Sequence, residues 1–132
     1  MHSRTAWNDY FTGTPTNLSS QTYTSRPTLS GTSVYVSNCF FISISSTGNG
    51  GALCCTSVTS FLVEFSSFFS CKTSSGYGGA IYFSNSGGQS VLHGVCGYDC
   101  FANQLYQFYR SEVKDDASYK NYVNCSSIAR CV

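Results

Sequence analysis

The sequence predicts an all-β fold: a parallel β-helix, or solenoid, built of stacked coils of 28–29 residues. Three observations predict it. A Gly-x-Gly-Gly-Ala-aliphatic segment is written twice, as GNGGALCC at 48–55 and GYGGAIYF at 76–83. Charged residues make up only 10% of the 132-residue chain, against roughly 25% in a typical soluble protein. Apolar and polar residues also alternate with period two, the mark of strands with one buried face.

A motif recurring at about 20 to 50 residues points to stacked repeats. At an offset of 28, Phe40 lies over Phe68, Phe41 over Phe69, Ser46 over Ser74, and Gly50-Gly51-Ala52 over Gly78-Gly79-Ala80. NCFFI at 38–42 returns as NCSSI at 124–128, with SSFFS at 66–70 and VCGYD at 95–99 between them. The expected division is therefore three full coils, 34–61, 62–90 and 91–119, and a partial fourth, 120–132. Residues 1–33, with Trp7, Tyr10, Phe11, Pro15 and Pro27, are expected to form an N-terminal cap or an irregular first coil.

Each coil opens on a stretch whose alternate residues are read as inward-facing. These are Tyr35, Ser37, Cys39, Phe41 and Ser43, then Val63, Phe65, Ser67, Phe69 and Cys71. Leu92, Gly94, Cys96, Tyr98 and Cys100 follow, then Asn121, Val123, Cys125, Ser127 and Ala129. None is charged, whereas the interleaved set holds Glu64, Lys72, His93, Asp99 and Arg130. A slip of one residue would bury those charges, which is what specifies the register. The glycine segments give a second strand per coil, with Leu53 over Ile81 and Cys55 over Phe83. In the third coil Tyr109, Ser111 and Val113 take these places at a local offset of 28. Turn formers lie between the strands: SSTGNG, KTSSGYG, NSGGQ and KDDAS. A β-propeller blade needs about 40 to 50 residues, longer than this repeat.

The GGALCC and GGAIYF segments resemble the Gly-Gly-Ala-[Ile/Leu/Val] half of the polymorphic outer-membrane protein repeat. Residues 34–132 as a whole are similar to the right-handed β-helix family of trichomonad protists. This resemblance implies a right-handed coil and a surface-displayed, adhesive parent protein, and it implies no catalytic residue. The other half of the polymorphic repeat, Phe-x-x-Asn, does not occur; Phe68-Phe69-Ser70-Cys71 stands nearest to it.

The repeated Gly50, Gly51, Ala52 and Gly78, Gly79, Ala80 invite a phosphate-loop reading, but no helix is predicted after either one to present its N-terminus. They are read instead as tight corners stacked one coil apart. Cysteines number eight. Cys96 and Cys125 share one expected column and Cys71 and Cys100 another, which permits either cross-coil disulfides or a ladder of buried thiols. A zinc site from His93, Cys96, Cys100 and Cys71 is disfavoured, because His93 falls in the outward set and the cysteines in the inward one. No metal or other cofactor is expected.

Net charge is +1 with no basic run, so nucleic acid is not an expected partner. No stretch of about 18 apolar residues could insert into a membrane as a helix. The opening MHSRTAWNDYFTG also lacks the apolar segment of a secretory signal, whereas the cysteine density suits an oxidising compartment. Both fit a piece of a longer protein that is secreted or displayed at the cell surface. The chain stops at SIARCV within its fourth coil, so a fragment of marginal stability with self-association at its coil ends is expected.

β-Helices also host polysaccharide-acting enzymes, and the alternative reading is a remnant of one. Glycoside hydrolysis needs two carboxylates about 5 to 9.5 Å apart. Asp115 and Asp116 are adjacent in a turn, and His93-Gly94 resembles a polygalacturonase motif in reversed order and without its Asn-x-Asp. A non-catalytic module is therefore expected, either binding host or self protein or glycan through a face dotted with Tyr, Ser and Thr, or serving as a spacer.

Overall fold

The computed structural model describes residues 7–85, 87–103, 108–112, 121–124 and 127–129. In chain order these form α1 (Trp7–Tyr10), β1 (Thr16–Ser19) and β2 (Thr22–Tyr23). The first repeat has β3 (Ser33–Ser37), β4 (Phe40–Ile42), β5 (Ser45–Ser46) and β6 (Leu53–Cys55). The second has β7 (Ser60–Glu64), β8 (Ser67–Phe69), β9 (Lys72–Thr73) and β10 (Ile81–Ser84). The third has β11 (Gln89–His93), β12 (Cys96–Tyr98), β13 (Phe101–Ala102) and β14 (Tyr109–Glu112), followed by β15 (Asn121–Asn124) and β16 (Ser127–Ala129).

The molecule is all-β with parallel strands. Each repeat contributes one strand to each of four sheets, ordered β1-β3-β7-β11-β15, β2-β4-β8-β12-β16, β5-β9-β13 and β6-β10-β14. Every pairing between repeats is parallel, an arrangement compatible with a β-solenoid. The glycine-segment strands pair as the sequence predicts, Leu53 with Ile81 and Cys55 with Phe83, and then Ile81 with Tyr109 and Phe83 with Ser111. Val113 lies outside the described residues.

The opening strands of the second and third repeats pair as expected, Val63 with Leu92 and Phe69 with Tyr98, whereas those of the first and second repeats are shifted by one residue. Phe41 faces Phe68, not Phe69, and Phe40 faces Ser67. The single residue that restores the offset of 28 at the glycine segment is inserted later, between Thr73 and Gly78. Between the third repeat and the last strands the register slides the other way, so that Leu92 faces Val123 and Cys96 faces Ser127. The shared Cys96–Cys125 column is corrected by this pairing, and Cys125 itself lies outside the described residues.

The inward set is also corrected. Interior-facing buried positions run 34, 36, 39, 41 and 44, then 61, 63, 66, 68, 71 and 73, then 90, 92, 95, 97, 100 and 102, and Ser37, Leu62, Val91 and the expectedly outward Glu64 are buried on the alternate positions. The step is two within a strand and three across each corner. At the corners stand Asn38, Ser43, Phe65, Ser70, Gly94 and Asp99, all with left-handed φ between 49° and 65°. A left-handed residue turns the chain and resets the alternation, which uninterrupted period-two counting cannot register. Phe65, Phe69, Cys96 and Tyr98 therefore point outward, while Phe61, Val36 and Val95 fill the interior.

The interior is built from columns of like residues. Tyr23, Phe41 and Phe68 stack with ring centroids 5.1 and 4.5 Å apart, and Phe61 stacks on Phe83 at 5.7 Å. In the next repeat this column holds Gly97, and Phe108 swings into the vacated space, edge-on to Phe68 at 5.6 Å. A Cβ at Gly97 would lie 2.3 Å from the Phe108 ring. Leu62 and Val91, on the other face of β7 and β11, are buried beneath Trp7 and Phe11, with Tyr10 and Tyr35 at the margin.

Candidate binding surface

The glycine corners come first because they align the strands beside them. Gly50 and Gly78 adopt φ of 71° and 68°, and a Cβ at either would lie 2.1–2.2 Å from a backbone oxygen. Gly51 is packed against the Gly79 carbonyl, where a Cβ would sit 2.0 Å away. Ala52 and Ala80 are fully buried. The amides of Gly50 and Gly51 donate to Tyr77 O and Gly78 O of the next repeat, at 2.8 and 3.1 Å. The equivalent carbonyls of the first repeat, Asn49 O and Gly50 O, instead accept from the Arg26 guanidinium, which also donates to Ser46 Oγ at 2.8 Å. Arg26 thus substitutes for the amides of a preceding glycine corner.

Cys71 and Cys100 occupy one buried column, as predicted, because Phe69 faces Tyr98 and Lys72 faces Phe101 on either side of them. Both carry thiols. Cys71 Sγ donates to Phe41 O at 3.4 Å and Cys100 Sγ to Phe68 O at 3.5 Å. Cys96 is exposed, so it belongs to no buried ladder. Burial pushes the Cys55 thiol well above its ordinary range, and it raises that of Cys54 against the opposing pull of Arg26. Both stay protonated at neutral pH, which withholds the nucleophilic thiolate.

Among the described residues Glu64 and Asp99 are engaged at separate places, while Asp9 acts electrostatically on the same Tyr35 that Glu64 holds. Glu64, buried on β7, accepts the Tyr35 hydroxyl at 2.6 Å. Burial is the main cause that pushes the Tyr35 phenol far up, with the Glu64 carboxylate adding to it. Asp99 accepts from Ser70 Oγ at 3.3 Å at a different corner. Among the described residues no group of three or more His, Cys, Asp or Glu is placed to hold a metal ion. Asp115 and Asp116 lie outside those residues.

Among the described residues the tyrosines do not make a common face. Tyr82 is buried, Tyr35 is bonded to Glu64, and Tyr77 lies under Arg110, whose guanidinium carbon is 4.3 Å from the ring centroid. The exposed apolar surface lies elsewhere. Ile42, Phe69 and Tyr98 form one outward column across β4, β8 and β12. With Phe40, Phe65 and Phe101 these side chains are 37–56% exposed. Phe65 is held at its corner over Gly94 and edge-on to the His93 ring, 5.5 Å between centroids. Sequence reasoning misses this surface because uninterrupted period-two counting puts Phe65, Phe69 and Tyr98 in the interior. The three-residue step at each corner is the signal that would have placed them.

Beside that column, past the Ser43-Ser70-Asp99 corners, a groove of about 310 Å³ runs along β5, β9 and β13. Ser45, Ser46, Thr47, Lys72, Thr73, Ser74 and Phe101 line it. Ser45, Lys72 and Phe101 form one outward column.

No protein-family model, curated protein or solved structure matches this chain. Its function is therefore read from the chemistry of its own surface.

Proposed function

We propose that the chain is a non-catalytic module of a right-handed parallel β-helix, part of a secreted or cell-surface protein. It binds an extended protein or glycan ligand across the outer face of β4, β8 and β12. The observation that carries this reading is the exposed Ile42–Phe69–Tyr98 column with Phe40 beside it. A contiguous apolar patch rimmed by polar residues marks an interaction site more often than a solvated surface. Parallel strands held at about 4.8 Å present such side chains at fixed intervals, so little ordering entropy remains to oppose binding. The resemblance of residues 34–132 to surface β-helix repeats supports the same reading, including the hand of the coil. The separate engagement of Glu64 by Tyr35 and Asp99 by Ser70 favours it over a polysaccharide-acting remnant.

The test is binding of the intact chain to a printed glycan array and to a panel of extracellular-matrix proteins. A Phe69→Ala/Tyr98→Ala double variant is expected to lose at least about tenfold in bound signal with an unchanged unfolding midpoint, as for central aromatic contacts elsewhere. Absence of any binding by the unaltered chain would leave it a structural spacer.

A further inference from the structure

The hydroxyls around the β5–β9–β13 groove fall into two sets. Ser46, Thr73 and Ser75 are used internally: Ser46 Oγ donates to Gly50 O at 3.3 Å, Thr73 Oγ1 to Gly48 O, and Ser75 Oγ to Thr47 O. Ser45, Thr47 and Ser74 are exposed on the groove and make no side-chain hydrogen bond among the described residues. Lys72 stands between them, exposed, and its ammonium likewise has no partner among those residues. Next to Lys72 in the column is the Phe101 ring, 44% exposed. In a chain that is only 10% charged, an unpaired cation between unused hydroxyls and an open ring is a specific chemical pattern.

From this we infer that the groove is a subsite for one anionic sugar unit of a glycan. The inference rests on the binding reading above and supplies its ligand class. Hydroxyls of Ser45, Thr47 and Ser74 exchange hydrogen bonds with sugar hydroxyls, and Phe101 takes the apolar face of the ring. Lys72 holds the anionic group as a point charge, a role in which an ammonium accepts carboxylate or sulfate alike. A volume of about 310 Å³ is at the lower end of the range for small-molecule sites, enough for one or two sugar rings. A neutral glycan would leave Lys72 unused, and a purely apolar ligand would strip water from three hydroxyls with nothing in return.

The experiment is NMR titration of the intact chain with sialyllactose, sulfolactose and lactose. One or both acidic sugars are expected to bind at least about tenfold more tightly than lactose, a difference of about 1.4 kcal/mol. Whichever wins identifies the anionic group. Lys72→Gln is expected to abolish that preference while leaving the unfolding midpoint unchanged. Phe101→Ala should weaken all three sugars. Phe69→Ala/Tyr98→Ala should leave the groove titration unaltered, which separates this site from the neighbouring face. Equal affinity for the three sugars, an acid preference that survives Lys72→Gln, or no shifts at millimolar sugar would overturn the inference. The reading of the β4–β8–β12 face would survive any of these if its double variant still lost array or matrix binding.

Discussion

Gly51 shows how little room the repeated corner leaves. A Cβ there would meet the Gly79 carbonyl at 2.0 Å and the Lys72 carbonyl at 2.7 Å, and backbone cannot move aside as a flexible side chain can. Gly51→Ala is therefore expected to destabilise the chain by roughly 3 kcal/mol or more. At Gly48 a Cβ would meet nothing within 4 Å, and Gly48→Ala should change stability by less than about 0.5 kcal/mol. Urea midpoints of the two variants check the contrast. The importance of this glycine was legible in the sequence, because a segment repeated at a fixed spacing leaves residues of one kind stacked on each other. The pairing of Gly97 with Phe108 was not legible. Nothing in the local pattern around Phe108 indicates that it fills a space left by a glycine in a strand of another sheet.

Strands and corners set the pattern at the next scale. Three short strands separated by left-handed corners produce the inward spacing of two, three, two and three, and the corners are occupied mainly by Asn, Ser, Gly and Asp. Asn, Asp and Gly reach this conformation readily, and Phe65 is the costly exception. The N-terminal segment is tied to the same architecture: β1 and β2 pair with β3 and β4, and Arg26 closes the first glycine corner. Arg26→Gln should cost about 1 to 2 kcal/mol. It should also speed hydrogen exchange at the Ala52 and Leu53 amides while leaving β7 and β11 unchanged. Exchange altered equally throughout the chain would contradict a local capping role. Sequence reading points to 1–33 as a cap or irregular coil, but Arg26 carries no signal, because its carbonyl partners, Asn49 and Gly50, lie more than 20 residues away.

Across the whole molecule, burial of weak acids fixes how stability responds to alkali. Burial, as the largest cause in each case, raises the proton affinity of Cys55, Cys54, Tyr35, Tyr109 and Tyr23. Ordinary values are 9.0 for the thiols and 10.0 for the phenols, so the unfolded chain releases these protons first as pH rises. Stability is fully present below those values and is lost above them, starting near about pH 9. Urea midpoints at about pH 7, 9 and 10.5 should fall in that order, and Cys55→Ala should shallow the slope. A flat profile would contradict the buried placement of these groups. The parallel repeat, the strands of the glycine segment, the Cys71–Cys100 column and the outward Lys72 were legible before folding was considered, because composition and fixed spacing carry those features directly. The register of the first repeat on the second and of the last strands on the third, and the face on which Phe65, Phe69, Cys96 and Tyr98 stand, emerge only in the folded molecule. The reason is physical. Side-chain direction beyond a corner depends on the sign of one backbone angle, and burial of Leu62 and Val91 depends on Trp7 and Phe11 arriving from a distant segment.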